Sequence, residues 1–280
     1  MSIIIGIDVG GSTTKIVGIN GEEILETMLV KANDPVASLF GALGKYTHNN
    51  NISFSDIEKI MITGVGSAYI TQPLLGISTG KVDEFIANGL GGMYLTKLTQ
   101  GIVVSMGTGT SLVKVQDGKI EHTGGIGIGG GTIMGLAKLL LDTQDINEII
   151  ELASRGNIEN IDLQIKDITK EALPDLPLDA TAANFAKVHN HVKKEDIAIG
   201  ILNMVLQVIG KASILSSLNT DIKDFIMIGN LSQLPQCRAI FDFFERMSDV
   251  KFIVPKHSEH ATAIGAAMAY MENKEYIEIK

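Results

Sequence analysis

Three glycine-rich turns stand directly after short apolar runs: Asp8-Val9-Gly10-Gly11-Ser12-Thr13-Thr14-Lys15, Gly107-Thr108-Gly109-Thr110-Ser111, and Ile228-Gly229-Asn230. Glycine after a strand lets the backbone approach a ligand closely and leaves amide donors unobstructed. The hydroxyls of Ser12, Thr13, Thr14, Thr108 and Thr110 and the charge of Lys15 complete a donor set suited to the oxygens of a triphosphate. Any one of these turns, taken singly, is better read as a tight hairpin. Three of them, with Asp8 at a strand end, favour a nucleotide. Asp8 is the natural carboxylate for magnesium, which prefers oxygen ligands and keeps several waters beside substrate phosphates.

A fourth run, Gly124-Gly125-Ile126-Gly127-Ile128-Gly129-Gly130-Gly131-Thr132, has six glycines in nine positions and opens a helix. A helix amino terminus prefaced by glycine favours an anion. The same run also suits a hinge between domains, and both readings stay open on the sequence.

The elements that must hold these turns follow from periodicity. Ile3–Val9 is a short β-branched run, Thr13–Ile19 a second strand, and Asn20-Gly21 a hairpin turn. A helix is expected from Asp34-Pro35 to Tyr46, and Ile60–Thr63 is a strand ending in Gly64. The opening then recurs: Gly101–Met106 is a strand, Leu112–Val115 its return, and Asp117-Gly118 the hairpin turn. Gly10 and Gly107 are 107 − 10 = 97 residues apart, and two such units indicate a duplicated α/β domain. Helical periodicity returns at Met134–Leu141, Ile146–Ala153 and Ile197–Leu218, a strand at Asp224–Ile228, another near Phe252–Val254, and an Ala-rich helix at Ala261–Tyr270.

Several classes drop out. No Gly-Lys-Ser/Thr follows four spacer residues, so this is not a Walker loop. The first glycine turn leads into a strand rather than a helix, which rules out the dinucleotide fingerprint. The formal net charge of the 280 residues is −9, with no basic run, so nucleic acid is not an expected partner. The single cysteine, Cys237, allows neither an internal disulfide nor a thiolate cluster within one chain. The opening residues lack the basic region and long apolar core of a secretory signal. The apolar stretch Ile197–Leu218 is interrupted by Asn203, Gln207 and Lys211, as in a buried or interface helix rather than a membrane span. A cytoplasmic protein is expected. Two strand–turn–strand phosphate loops point to the superfamily of sugar kinases, actin and chaperone ATPases.

Over nearly its whole length the sequence resembles the type II pantothenate kinases. The resemblance rests on Gly6–Ser12, Ile57–Ile60 with Thr63-Gly64, Gly107–Leu112, Gly124–Gly127 with Gly129–Gly131, Asn160–Leu163, Thr181–Phe185 and Ala263–Ala266. The first motif is shared across the superfamily; the middle blocks are more particular to this family. The resemblance implies an α/β fold of duplicated ribonuclease H-like (actin/hexokinase-like) domains around a central nucleotide cleft. The first domain is expected over residues 1–100, and the second over 101–280 with a dimer-forming helix. It also implies ATP-dependent phosphorylation of pantothenate, the first step towards coenzyme A, with Mg²⁺.

Residue by residue, Glu84 matches the family's general base and Asp8 its magnesium-side aspartate. Gly10, Gly11, Ser12, Thr13, Thr14, Lys15, Thr108, Gly109, Thr110, Gly130, Gly131 and Thr132 match phosphate-contacting segments. Gly229 and Asn230 match the adenosine site; Thr108, Ser111, Ala182, Ala183 and Asn184 match the pantothenate site. Without the resemblance, Glu84 is one of many acidic residues, and Asp83 beside it is an alternative candidate. One departure stands out: where the family usually carries arginine, two residues before Gly124, this chain has His122. Histidine titrates near neutrality and reaches less far than a forked, permanently charged guanidinium. His122 implies either a related acceptor, pantetheine-like or a sugar, or a catalytically weakened nucleotide-binding homologue. ATP-switched activators of acyl-CoA dehydratases share the opening motif, but they hold an iron–sulfur cluster with paired cysteines from each chain, which Cys237 alone does not supply.

Overall fold

The computed structural model describes residues 2–31, 34–169, 171 and 177–280. The first lobe is built on β1 (Ile3–Val9), β2 (Thr13–Asn20), β3 (Glu23–Ile24), β4 (Met28–Lys31), β5 (Ile57–Thr63) and β6 (Thr79–Lys81). Alternation along β1 assigns its faces. Ile3, Ile5, Ile7 and Val9 pack with Leu39, Leu43 and Tyr46 of α1 (Pro35–Asn49). Ile4 faces the other way, into a cluster with Ala263, Ile264 and Ala267. The first helix starts where the Asp34-Pro35 pair requires: Asp34 Oδ1 accepts from the Ala37 amide at 2.9 Å, and proline occupies the first turn.

The second lobe repeats the plan. β7 (Gly101–Met106), β8 (Thr110–Gln116) and β9 (Lys119–Ile126) form a meander, and a separate two-stranded ribbon joins β10 (Leu163–Gln164) to β11 (Thr181–Ala183). β12 (Asp224–Ile228) and β13 (Lys251–Ile253) complete the five-stranded sheet in the order β13-β12-β7-β8-β9. The correspondence with the first sheet is direct. β1 is antiparallel to β2 and parallel to β5, which is parallel to β6. β7 is antiparallel to β8 and parallel to β12, which is parallel to β13. The duplication expected from the 97-residue offset is therefore present in the pairing of the strands.

Two helices lie between the sheets. On α2 (Glu84–Thr96), Ala87 and Leu90 pack on the first lobe, while Phe85 and Met93 pack on Val103 and Ile226 of the second. The outer face of the second sheet is covered by α3 (Gly130–Leu141), α4 (Ile146–Arg155), α6 (Lys194–Ser216) and α7 (Gln236–Met247), with the single turn α5 (Ile165–Ile168) beside the ribbon. α6 is long and apolar enough to cross a membrane, but Ile201, Leu202, Val205, Leu206 and Ile209 are fully buried in the second lobe's core. α8 (Ala261–Met271) crosses back to the first lobe and meets α2 backbone to backbone. A Cβ built on Gly265 would lie 1.7 Å from the Ala87 carbonyl oxygen, and one on Gly91 would lie 1.9 Å from that of Ala261.

The expected division at residue 100 is corrected by this return. The chain's last strand, β14 (Ile277–Ile279), pairs with β6 in the first sheet, and α8 packs on β1 and α2. The second lobe thus ends near residue 260, and the first is closed by the carboxyl terminus. The reason is hydrophobic: Ile4, Val17, Ile19 and Met61 present an apolar face that α2 and α8 cover.

Candidate active site

A cleft of about 520 Å³ opens between the lobes, lined by both glycine elbows, Asp8, Lys15, Glu84, His122, Gly229 and Asn230. The first elbow is closed by the Gly10 amide donating to the Thr13 carbonyl at 3.0 Å, the second by Gly107 donating to Gly109 at 2.9 Å. Gly229 ends β12 at φ +89°, where a Cβ would stand 2.6 Å from the Met106 carbonyl oxygen, so only glycine fits. Its counterpart Gly64 ends β5 at φ +85°, with a Cβ 2.6 Å from Asp8 Oδ1. A short 3₁₀ turn follows each glycine, Val65–Tyr69 and Asn230–Gln233.

Asp8 and Lys15 are direct partners across the β1–β2 ladder. Their charged atoms stand 3.8 Å apart, an ion pair longer than a hydrogen bond, and both residues are buried. Burial pushes the Asp8 carboxyl above its ordinary range, with Lys15 pulling the other way. Glu84 is the first residue of α2. Burial raises its carboxyl too, reinforced by the charges of Asp8 and Asp83 and opposed by Lys15. Asp83, the rival candidate, caps the helix: its Oδ1 accepts from the amides of Phe85 at 2.8 Å and Ile86 at 3.2 Å.

His122 stacks flat on Phe85, ring centroids 3.8 Å apart and planes at 6°. Its neighbour two residues back on β9, Ile120, fills the hollow over Gly89, one helical turn after Phe85; a Cβ on Gly89 would meet Ile120 Cγ2 at 2.7 Å. A bulge then intervenes, since Val113 pairs with His122 but Leu112 pairs with Gly124. Thr123, the extra residue, donates its hydroxyl to the Leu112 carbonyl at 3.1 Å. A larger cavity, about 780 Å³, adjoins the cleft at Val65, Glu84 and Phe85 and continues over Lys81, Val82, Ile120 and Tyr276.

Some expected site residues lie elsewhere. Thr14 is wholly buried and pairs with Val9 and Val30, so strand alternation turns its hydroxyl away from the face that carries Lys15. Gly130 and Gly131 do not line the cleft: their amides donate to the carbonyls of Gly107 and Thr108 at 2.8 and 2.9 Å. Thr132 accepts from the Gly129 amide and donates to the Gly127 carbonyl, each at 3.2 Å. A Cβ on Gly129 would lie 2.7 Å from the Thr108 carbonyl oxygen. These glycines allow α3 to brace the second elbow in close contact. Gly124 and Gly125 belong to β9.

Ala182, Ala183 and Asn184 also lie outside the cleft lining, at β11 and its following turn. They are drawn there by Asp162, a fully buried carboxylate that accepts from Asn184 Nδ2 at 3.0 Å, Asn203 Nδ2 at 2.8 Å and the Phe185 amide at 2.8 Å. Gln207 joins by donating to Thr181 Oγ1 at 3.1 Å. Two polar interruptions of α6, Asn203 and Gln207, therefore tie the ribbon to the core. Sequence reasoning missed Ser105, Val65, Phe85 and Thr262, which line the cleft. Ser105 was findable, since 105 − 8 = 97 makes it the duplicate of Asp8.

The Fumble family model matches residues 96–269. A type II pantothenate kinase of Bacillus cereus (strain AH820) is 30% identical over 285 residues, covering 98% of this chain and 99% of that protein. The type II pantothenate kinase of Staphylococcus aureus (strain USA300) is 32% identical over 213 residues, covering 74% and 75%. Among solved structures, the activator of the 2-hydroxyisocaproyl-CoA dehydratase from Clostridium difficile with bound ADPNP superposes with a TM-score of 0.70 at 16% identity, covering 97% of this chain and 95% of that one. A ROK family glucokinase from Streptomyces griseus, in complex with glucose and AMPPNP, gives 0.60 at 14% identity, covering 95% and 98%. These two likenesses show the actin/hexokinase-like fold.

Proposed function

The chain belongs to the Fumble, or type II pantothenate kinase, family, and we propose that it moves the γ-phosphoryl group of ATP to the terminal hydroxyl of pantothenate, the first step of coenzyme A synthesis. The observation that carries this reading is the convergence of two duplicated elbows, Asp8 and Glu84 on one cleft. Glu84 takes the proton of the hydroxyl, the hydroxyl oxygen bonds to the γ-phosphorus, and the bond to the β–γ bridging oxygen breaks to release ADP. The elbow amides of Gly11, Ser12, Thr108 and Gly109 and the Lys15 ammonium hold the phosphates; Gly229 and Asn230 face the adenosine. Thr108 and Ser111 hold the acceptor beside His122.

Among the described residues no group of three His, Cys, Asp or Glu could hold a metal by itself. Asp8 nonetheless suits a magnesium ion that takes its other ligands from phosphates and water, because among the described residues its buried carboxylate has the distant Lys15 alone as counter-charge. Magnesium held there would neutralise phosphate charge.

Coupled ADP release with pantothenate tests the assignment. Tight ATP binding without ADP release from any acceptor would leave a nucleotide-binding regulator instead. The larger cavity beyond Glu84 favours a second reading, an acceptor extended like pantetheine, and an acceptor panel in the same assay separates the two. His122→Arg should raise turnover several-fold while the stack on Phe85 persists, since guanidinium also stacks on aromatic faces. No change, or a loss, speaks for a different acceptor. An electron-transfer activator is disfavoured: Cys237 is buried, its thiol donates to the Leu231 carbonyl at 2.9 Å, and burial pushes it up to about 12.

We place the enzyme in the cytoplasm as a homodimer. Val208 on α6, 38% exposed, lines a small apolar hollow with Phe243 and Met247 of α7, and Leu215 near the end of α6 is 54% exposed. Sedimentation equilibrium should return twice the chain mass; a monomer at micromolar concentration removes the dimer.

A further inference from the structure

The Asn88 side chain is wholly buried on α2, four residues after Glu84 and on the same helix face. Helical side chains lean towards the amino end, which carries the Asn88 amide over the turn that bears Glu84. Its Oδ1 accepts a hydrogen bond from Thr262 Oγ1 at 2.7 Å, and Thr262 lines the cleft. Its Nδ2 is enclosed and has no partner among the described residues. Among the described residues the Glu84 carboxylate has no hydrogen-bond partner either, so an unpaired donor and an unpaired acceptor belong to residues one helical turn apart. Asn88 is also confined, because α2 and α8 meet in backbone contact around Gly91 and Gly265. An enclosed unpaired amide is rare in folded proteins, and leucine would fill the same space without one.

We propose that Asn88 is a positioning residue for Glu84: as substrates close the cleft, its Nδ2 donates to the ionised Glu84 carboxylate and aims it at the acceptor hydroxyl. Thr262 fixes the orientation of the amide from the α8 side. The inference rests on Glu84 being the base, so its test carries both residues.

The experiment compares Asn88→Leu, Glu84→Gln and the double variant in the coupled assay, with thermal melting of each. Asn88→Leu should lower kcat about tenfold or more, the scale of one hydrogen bond to a charged group. KM for ATP should stay within about twofold, the sign that nucleotide binding is intact. Its melting point should be unchanged or higher, and the double variant no slower than Glu84→Gln alone. An Asn88→Leu enzyme with full kcat beside an inactive Glu84→Gln enzyme overturns this inference and leaves the base assignment standing. A lowered melting point with a raised KM for ATP makes Asn88 a packing residue and overturns it as well. A Glu84→Gln enzyme with full turnover removes the base assignment and the inference together.

Discussion

Glu84→Gln should lower kcat by about 10²–10⁴-fold, the usual worth of a positioned general base, while the affinity for ATP changes little. Glutamine keeps the shape and one acceptor oxygen but cannot take a proton, so the loss falls on transfer rather than on nucleotide binding. The pH dependence follows from the same side chain. Burial and the charges of Asp8 and Asp83 hold the Glu84 carboxyl above its ordinary range. The base works only when ionised, so turnover falls as pH drops through that raised value, earlier than for a solvent-exposed glutamate. Saturating either substrate of the Glu84→Gln enzyme should not restore the rate. Full turnover in that variant would return the base role to another group.

The largest effect on the fold is expected at Gly265. Alanine in the middle of a helix normally gains about 1 kcal/mol over glycine. Here the added Cβ would stand 1.7 Å from the Ala87 carbonyl oxygen and 2.7 Å from the Gly91 amide nitrogen, both backbone atoms that cannot swing aside. Overpacking therefore outweighs propensity, and Gly265→Ala should cost about 3 kcal/mol or more. Urea denaturation gives the direct measure. Activity should fall as well, because the α2–α8 contact sets where Glu84 and Thr262 stand in the cleft. A variant as stable as the parent would mean that the two helices part without cost.

Much of this was legible in local sequence. Ile3–Val9 and Gly101–Met106 are β-branched or apolar runs closed by glycine turns, and their repetition at one offset announced the duplicated sheet. Asp34-Pro35 marked a helix start that the cap geometry reproduces. α2 was not legible, because Gly89, Gly91 and Gly92 dilute its apolar periodicity, and those glycines are there for contacts with Ile120, Ala261 and Val103. The inward face of a helix that packs by close approach looks like a loop when read alone.

The sequence by itself determined the chemical inventory: glycine elbows, an aspartate at a strand end, one cysteine, and the order of motifs that marks the family. Only the tertiary structure decided which members of that inventory share a space. Thr14 and Lys15 are neighbours in the chain, yet the pleat sends one to the core and the other to the cleft. Gly130 and Gly131 look like anion-binding donors until their amides are seen to be taken by Gly107 and Thr108. Asn88 has no signal in the sequence, and gains one only when α8 closes over it. Side-chain direction and hydrogen-bond occupancy are set by contacts between residues far apart in the chain, and a motif records neither.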